Sequence, residues 1–115
     1  MGDRANVLVR QDKDDPGVYL YTHGAGTELP STLQKALAKG WRWDDAPYLT
    51  RIIFDTMTER CHGEELGYGI STWISDGASR ILEVNCDAGT VKRTEKQWTF
   101  EKYVALSPAK IGEVW

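Results

Sequence analysis

The stretch Thr22-His23-Gly24-Ala25-Gly26-Thr27 has the residue types of this chain best suited to holding a ligand. Its two glycines leave backbone N–H groups open to close approach. A helix signal follows within a few residues, and amides and helix dipole together favour an anion such as phosphate. Neither Walker spacing nor a dinucleotide fingerprint is present. A second glycine-rich loop, Gly63-Glu64-Glu65-Leu66-Gly67-Tyr68-Gly69, enters a strand from the end of a long helical pattern. In a hairpin, helix and meander arrangement the two loops rim one cleft. The ligand-binding set nominated on this reasoning is Thr22, His23, Gly24, Gly26, Tyr68 and Gly69, with Arg51, and Arg42 beside it, as the cations best placed in sequence.

Other constellations give weaker chemistry. Asp12, Asp14 and Gly17 imitate the start of a calcium loop, but Pro16 and His23 occupy positions where ligands are needed, and strands flank the loop where helices should. Cys61, His62, Cys86 and His23 are the soft metal ligands, and adjacent Cys61 and His62 do not readily face one ion, so no metal and no cofactor is called for. Nucleophilic catalysis needs a nucleophile, a base and an orienting group, and neither histidine sits in such a motif. His23 near Asp44 or Glu64 is the acid–base pair a small hydrolase would use. Trp41-Arg42-Trp43 lies in the connection between two helices, and exposed aromatics there, with Trp115, suit a protein interface in which Trp41 and Trp43 are the anchors. Lys92, Arg93, Lys96 and Lys102 interleave with Trp98, Phe100 and Tyr103, but Glu95 and Glu101 dilute that face, so direct nucleic-acid binding is the minority reading.

The elements that position these residues follow from periodicity and turn chemistry. Asn6 to Gln11 and Val18 to His23 are short runs rich in Val, Leu and Tyr, joined through Asp15-Pro16-Gly17, and read as a hairpin. Ser31 with Gln34 three residues on predicts a capping box, and Leu33, Ala36 and Leu37 form a helical stripe ending at Gly40. Asp44 or Asp45 caps a second helix with Pro47 in its first turn and Leu49, Ile52, Ile53, Met57 and Cys61 at helical spacing. From Ile70 to Ser75 the period changes to two, and Asp76-Gly77 predicts a hairpin turn returning through Arg80 to Asp87, with Trp73 opposite Arg80. Ala88-Gly89 turns into a further strand, and Trp98 to Leu106 reads as another, with Trp98, Phe100, Val104 and Leu106 on one face. The expected fold class is α+β: an N-terminal β-hairpin, an αα segment and a C-terminal antiparallel meander, in one domain over residues 1–115. Separate runs of strands and helices argue against a parallel sheet.

Composition limits the rest. Apolar residues are 41% and charged residues 27%, which places the chain among folding globular proteins rather than disordered ones. With a net charge of −3 and a pI near 5.3, no global positive field attracts nucleic acid or an anionic membrane. The stretch from Met1 to Asn6 lacks the basic and apolar regions of a signal peptide, and no segment reaches the roughly 20 apolar residues that span a bilayer, so a cytoplasmic protein is expected. Two short helices leave one sheet face to cover, and a homodimer burying Trp73, Leu82, Val84, Trp98 and Phe100 is the simplest closure.

Val18-Tyr19-Leu20-Tyr21-Thr22-His23-Gly24, then Leu29-Pro30, Leu33, Ala36-Leu37, Trp43-Asp44-Asp45, Tyr48-Leu49, Arg51-Ile52-Ile53-Phe54, Gly63-Glu64 and Gly67-Tyr68-Gly69-Ile70-Ser71 together resemble a family of small uncharacterised proteins encoded by phages, prophages and mobile elements. Many relatives carry a Trp soon after the His, where this chain has Gly24-Ala25. The resemblance implies a phage-type accessory protein of the host cytoplasm, more a stoichiometric binder than an enzyme. Two anti-defence roles suit it: sequestering a nucleotide signal, or masking a host defence protein as an inhibitor or adaptor.

Overall fold

Alternating apolar residues make the first strand, β1 (Ala5–Arg10), and Gly17, at φ +74°, completes the turn that returns the chain as β2 (Val18–Thr22). The computed structural model describes residues 2–74 and 79–115. β1 and β2 pair antiparallel with Val7 opposite Leu20, as the hairpin reading expects. Helix α1 (Leu29–Leu37) buries Leu33, Ala36 and Leu37 and closes at Gly40, whose φ of +70° is a conformation glycine adopts without Cβ strain. Helix α2 (Ala46–Thr58) starts where Asp45 accepts a hydrogen bond from the Tyr48 N–H, and buries Leu49, Ile52, Ile53 and Met57. Both helices lie where the sequence pattern puts them.

The start of α1 differs from the capping-box expectation. The helix begins at Leu29, and the Ser31 hydroxyl donates back to the Glu28 carbonyl over 2.9 Å instead of capping. The Gln34 amide reaches the carbonyls of Tyr103, Val104 and Leu106 at 3.3, 3.1 and 2.8 Å, so it ties α1 to the C-terminal segment. A serine already inside the helical turn satisfies a carbonyl more readily than an upstream amide.

After α2 come β3 (Tyr68–Ser71), β4 (Ile81–Asn85), β5 (Thr90–Arg93) and β6 (Lys96–Thr99), then short helices α3 (Phe100–Val104) and α4 (Pro108–Ile111). The architecture is α+β: one six-stranded mixed sheet in the order β3-β2-β1-β4-β5-β6. Ala5, Val7, Val9, Leu20, Leu82, Val84 and Val91 meet α1, α2 and Phe100 and Tyr103 of α3 in a single core, so these helices pack on one face of the sheet.

Three sequence expectations are corrected here. β3 does not form a hairpin with β4; it pairs antiparallel with β2 at one edge, while β4 pairs parallel with β1 in the middle of the sheet. Asp76-Gly77, the turn invoked for that hairpin, lies outside the described residues. Period-two alternation fixes which face a residue takes and carries no information about which strand it pairs with. Consequently Trp73 does not oppose Arg80, whose guanidinium instead lies 5.4 Å from the ring centre of Trp115. The strand expected from Trp98 to Leu106 ends at Thr99, whose hydroxyl accepts from the Lys102 N–H at 3.2 Å and caps α3. Finally, Leu82, Val84 and Phe100 are no more than 1% exposed, covered by the chain's own helices, so they are not a face for a second copy. Among the described residues no helix is long and apolar enough to cross a membrane.

Candidate functional site

Thr22, the last residue of β2, is fully buried, and its hydroxyl accepts from the Ala25 N–H at 3.1 Å, which folds the glycine loop back on itself. Three more loop amides are similarly engaged. The His23 N–H donates to the Gly67 carbonyl (3.0 Å), the Gly26 N–H to the Asp3 carbonyl (2.7 Å) and the Thr27 N–H to the Asp3 carboxylate (2.9 Å). The anion gathered by this loop is thus the protein's own Asp3, which also pairs with Arg80. The Arg80 guanidinium and the Thr27 amide hold the Asp3 carboxyl well below its usual range, at about 2. Among the described residues the Gly24 amide alone in this loop has no partner, so backbone capture of a phosphate, the chemistry its glycines suggest, has one N–H to work with.

The glycines have separate purposes. A Cβ on Gly26 would run into Arg80 and come within 2.6 Å of the Asp3 carbonyl oxygen, so this glycine exists for close packing. Trp115 locks it further by donating its indole N–H to the Gly26 carbonyl over 2.8 Å. Cβ atoms on Gly24 or Gly69 would meet nothing within 4 Å. His23 is exposed, and its Nδ1 lies 3.3 Å from both Arg4 Nε and the Tyr21 hydroxyl. Among the described residues no carboxylate hydrogen-bonds to it, and Asp44 stands instead by Gln11, which donates to the Asp44 carbonyl at 2.9 Å.

The loops do meet at a cleft, on the helix side of Tyr68. Ala25, Glu28, Ser31, Lys35, Arg60 and Tyr68 are among the residues lining a depression of about 220 Å³ between the N-terminal turns of α1 and the end of α2. Tyr68 also walls a second depression of about 250 Å³ with Phe54, Thr58, Cys61, His62 and Leu66. Half-buried between them, its phenol is pushed above its ordinary pKa by burial, with the Thr22 hydroxyl acting in the opposite sense. Lys35 pairs with Glu59 and holds that carboxyl below its usual range. Arg60 has no ion pair among the described residues.

Of the nominated ligand set, Tyr68 lines both depressions, Thr22 pairs with it across the β2–β3 ladder, and His23, Gly24 and Gly26 belong to the loop that holds Ala25 at the rim. Arg51 is turned away on the exposed face of α2, paired with Asp55 at 2.6 Å, and neither depression includes it. Lys35 and Arg60 are the cations the geometry supplies instead. Their signal in the sequence is a polar stripe at helical spacing, Glu28 at the cap of α1 with Ser31, Thr32 and Lys35 along it, opposite the apolar residues, and Glu59 and Arg60 just past the end of α2. No three His, Cys, Asp or Glu side chains converge on a metal-sized site among the described residues.

The two candidate anchor tryptophans separate. Trp41 is 59% exposed with Lys39 Nζ 5.3 Å from its ring centre. Trp43 is half-buried, edge-on to Phe100 at 5.3 Å, and donates its indole N–H to the Leu37 carbonyl at 2.9 Å.

Comparison with known proteins finds no matching family model, no matching curated protein and no matching solved structure.

Proposed function

We propose that this chain is a non-enzymatic binding protein that takes a small phosphorylated molecule, a mononucleotide by preference, across the ridge formed by Tyr68. The observation that carries this reading is the convergence of both glycine loops on one half-buried tyrosine flanked by Lys35 and Arg60. Each depression alone, at about 220 and 250 Å³, is smaller than the roughly 300–1,000 Å³ usual for drug-sized ligands, so a mononucleotide spanning the pair is the better fit. Arg60 presents a planar donor fork suited to phosphate, Glu28 and Ser31 supply acceptors for sugar hydroxyls, and the Tyr68 ring offers a surface for a base. The resemblance to phage and prophage proteins supports sequestration of a nucleotide signal in the host cytoplasm as the purpose of such binding.

A thermal-shift and calorimetric screen against mono-, di- and cyclic nucleotides tests it. A ligand present at 100 times its dissociation constant raises stability by about 2.7 kcal/mol. A flat response to all of them removes the reading.

One observation favours a second reading, that the chain masks a host protein. Trp41 is 59% exposed with Lys39 over its ring, and Tyr48 is 49% exposed with the Arg42 guanidinium 4.3 Å from its ring centre, exposed aromatics with cations over them of the kind that anchor interfaces. Under that reading Trp41→Ala abolishes capture of the host partner and leaves nucleotide shifts unchanged.

A further inference from the structure

The sheet has two edges, and they are built differently. β6 is an edge strand guarded by Lys96, whose ammonium group reaches the Glu113 carbonyl at 2.8 Å, and it ends in a capped helix. Among the described residues β3 has no such guard. From Leu66 to Ile74 the chain carries no charged residue and no proline, and Leu66, Ile70, Trp73 and Ile74 are exposed by 77, 60, 66 and 36%. Uncharged, unblocked edges of this kind are templates for another strand.

The hydrogen-bond pattern defines what such a strand would meet. His23 and Gly67 form a bonded pair, and in an antiparallel ladder bonded pairs recur every second residue, so Gly69 with Tyr21 and Ser71 with Tyr19 face inward to β2. The N–H and C=O groups of Tyr68 and Ile70 therefore point outward, and among the described residues nothing pairs with them.

We infer that β3 is a homodimerisation edge, where a second copy of this chain adds its own β3 antiparallel about a two-fold axis through Gly69. The occupant is a second copy because the edge is complementary to itself. With Gly69 opposite Gly69 of the other copy, the outward-facing residues pair as Tyr68 with Ile70 and Ile70 with Tyr68, exchanging four backbone hydrogen bonds. Each exchange sets an aromatic ring against a β-branched side chain, a favourable cross-strand pair, and brings no like charges together. The axial position is a close, non-bonded pair in which glycine leaves no side chains to collide, and Gly69 has open space around its Cβ position. The contact is isologous and closed, so it stops at two subunits and joins the two six-stranded sheets into one. It places Ile70 of the second copy against Tyr68, the ridge between the two depressions, so each subunit would complete the wall of the other's site. The inference holds whether or not a nucleotide binds there.

Light scattering coupled to gel filtration, run from about 1 to 100 μM, a range that brackets the micromolar dissociation constants common for weak dimers, decides it. A mass twice the 13.0 kDa of the chain is expected, falling to the single-chain value in Ile70→Lys with the far-ultraviolet dichroism unchanged. Hydrogen exchange on the unmodified protein serves as the second measurement, independent of any variant: protection at the Tyr68 and Ile70 amides should rise with concentration. A monomer throughout that range, a dimer that survives Ile70→Lys, or concentration-independent exchange at those two amides overturns the inference.

Discussion

The His23 N–H donates to the Gly67 carbonyl across 3.0 Å, one step beyond the Thr22 and Tyr68 pair that ends the β2–β3 ladder. That bond fastens one glycine loop to the other, so the rim residue Ala25 and the ridge residue Tyr68 are held by the same sheet edge. The depression is thus bounded by a strand pair on one side and two helix ends on the other, the kind of preorganised wall that the proposed small-ligand site calls for.

Because Gly26 is pressed against Arg80 and Asp3 whereas Gly24 faces open space, the two glycines should respond oppositely to the same substitution. Gly26→Ala is expected to lower stability by about 1–3 kcal/mol, the usual cost of forcing extra volume into a packed position. Gly24→Ala should stay within about 0.5 kcal/mol of the parent. Urea denaturation of both variants measures the difference, and equal effects would contradict the packing role assigned to Gly26.

The tryptophans of the α1–α2 connection make a similar contrast. Trp43→Ala removes an edge-on contact with Phe100 and the bond to Leu37, and should cost about 2–4 kcal/mol, at or below the range for fully buried aromatics. Trp41→Ala should change stability by less than about 0.5 kcal/mol. Thermal melts of the two proteins show whether Trp43 is part of the core or, like Trp41, part of the surface.

Asp3 gives a pH dependence with a definite sign. Its pKa is lowered from 3.8 to about 2 by the Arg80 pair and by the Thr27 amide, so the folded state binds this proton less readily than the unfolded chain does. The stability it contributes is present above pH 3.8 and is lost as the pH falls towards 2. Asp3→Asn should therefore be less stable than the parent at neutral pH and show a shallower loss of stability through that window. Urea midpoints at a series of pH values check this, and parallel curves for the two proteins would show that the Asp3 pair contributes nothing.

The sequence was informative where an element is local. Asp45, Pro47 and the Leu49, Ile53 and Met57 stripe are enough to place α2, because cap, first turn and buried face all lie within one segment. The β1–β2 hairpin is legible for the same reason. What sequence did not show is partner choice: nothing in Tyr68 to Ser71 says that this strand pairs with β2 rather than with β4, since alternation reports the face alone. In sequence the short helix α3 resembles a strand because Phe100 and Val104 fit either period over so few residues, and the Thr99 cap that distinguishes the two lies in the bond from the Lys102 amide to its hydroxyl. At the site, Thr22 and Tyr68 were found through the glycines beside them. Lys35 and Arg60 are not legible this way, because one lies on α1 and the other just past the end of α2, and the packing of the two helices brings together residues 25 positions apart.

The most direct test of nucleotide binding at Tyr68 is a residue-resolved amide titration, following backbone nitrogen and proton shifts while nucleoside mono-, di- and cyclic phosphates are added. The account predicts saturable shifts at Ala25, Lys35, Arg60 and Tyr68 with at least one of them, abolished in Arg60→Ala and absent around Trp41. Shifts confined to Trp41 and Tyr48, or none at all with any nucleotide at millimolar concentration, would contradict it.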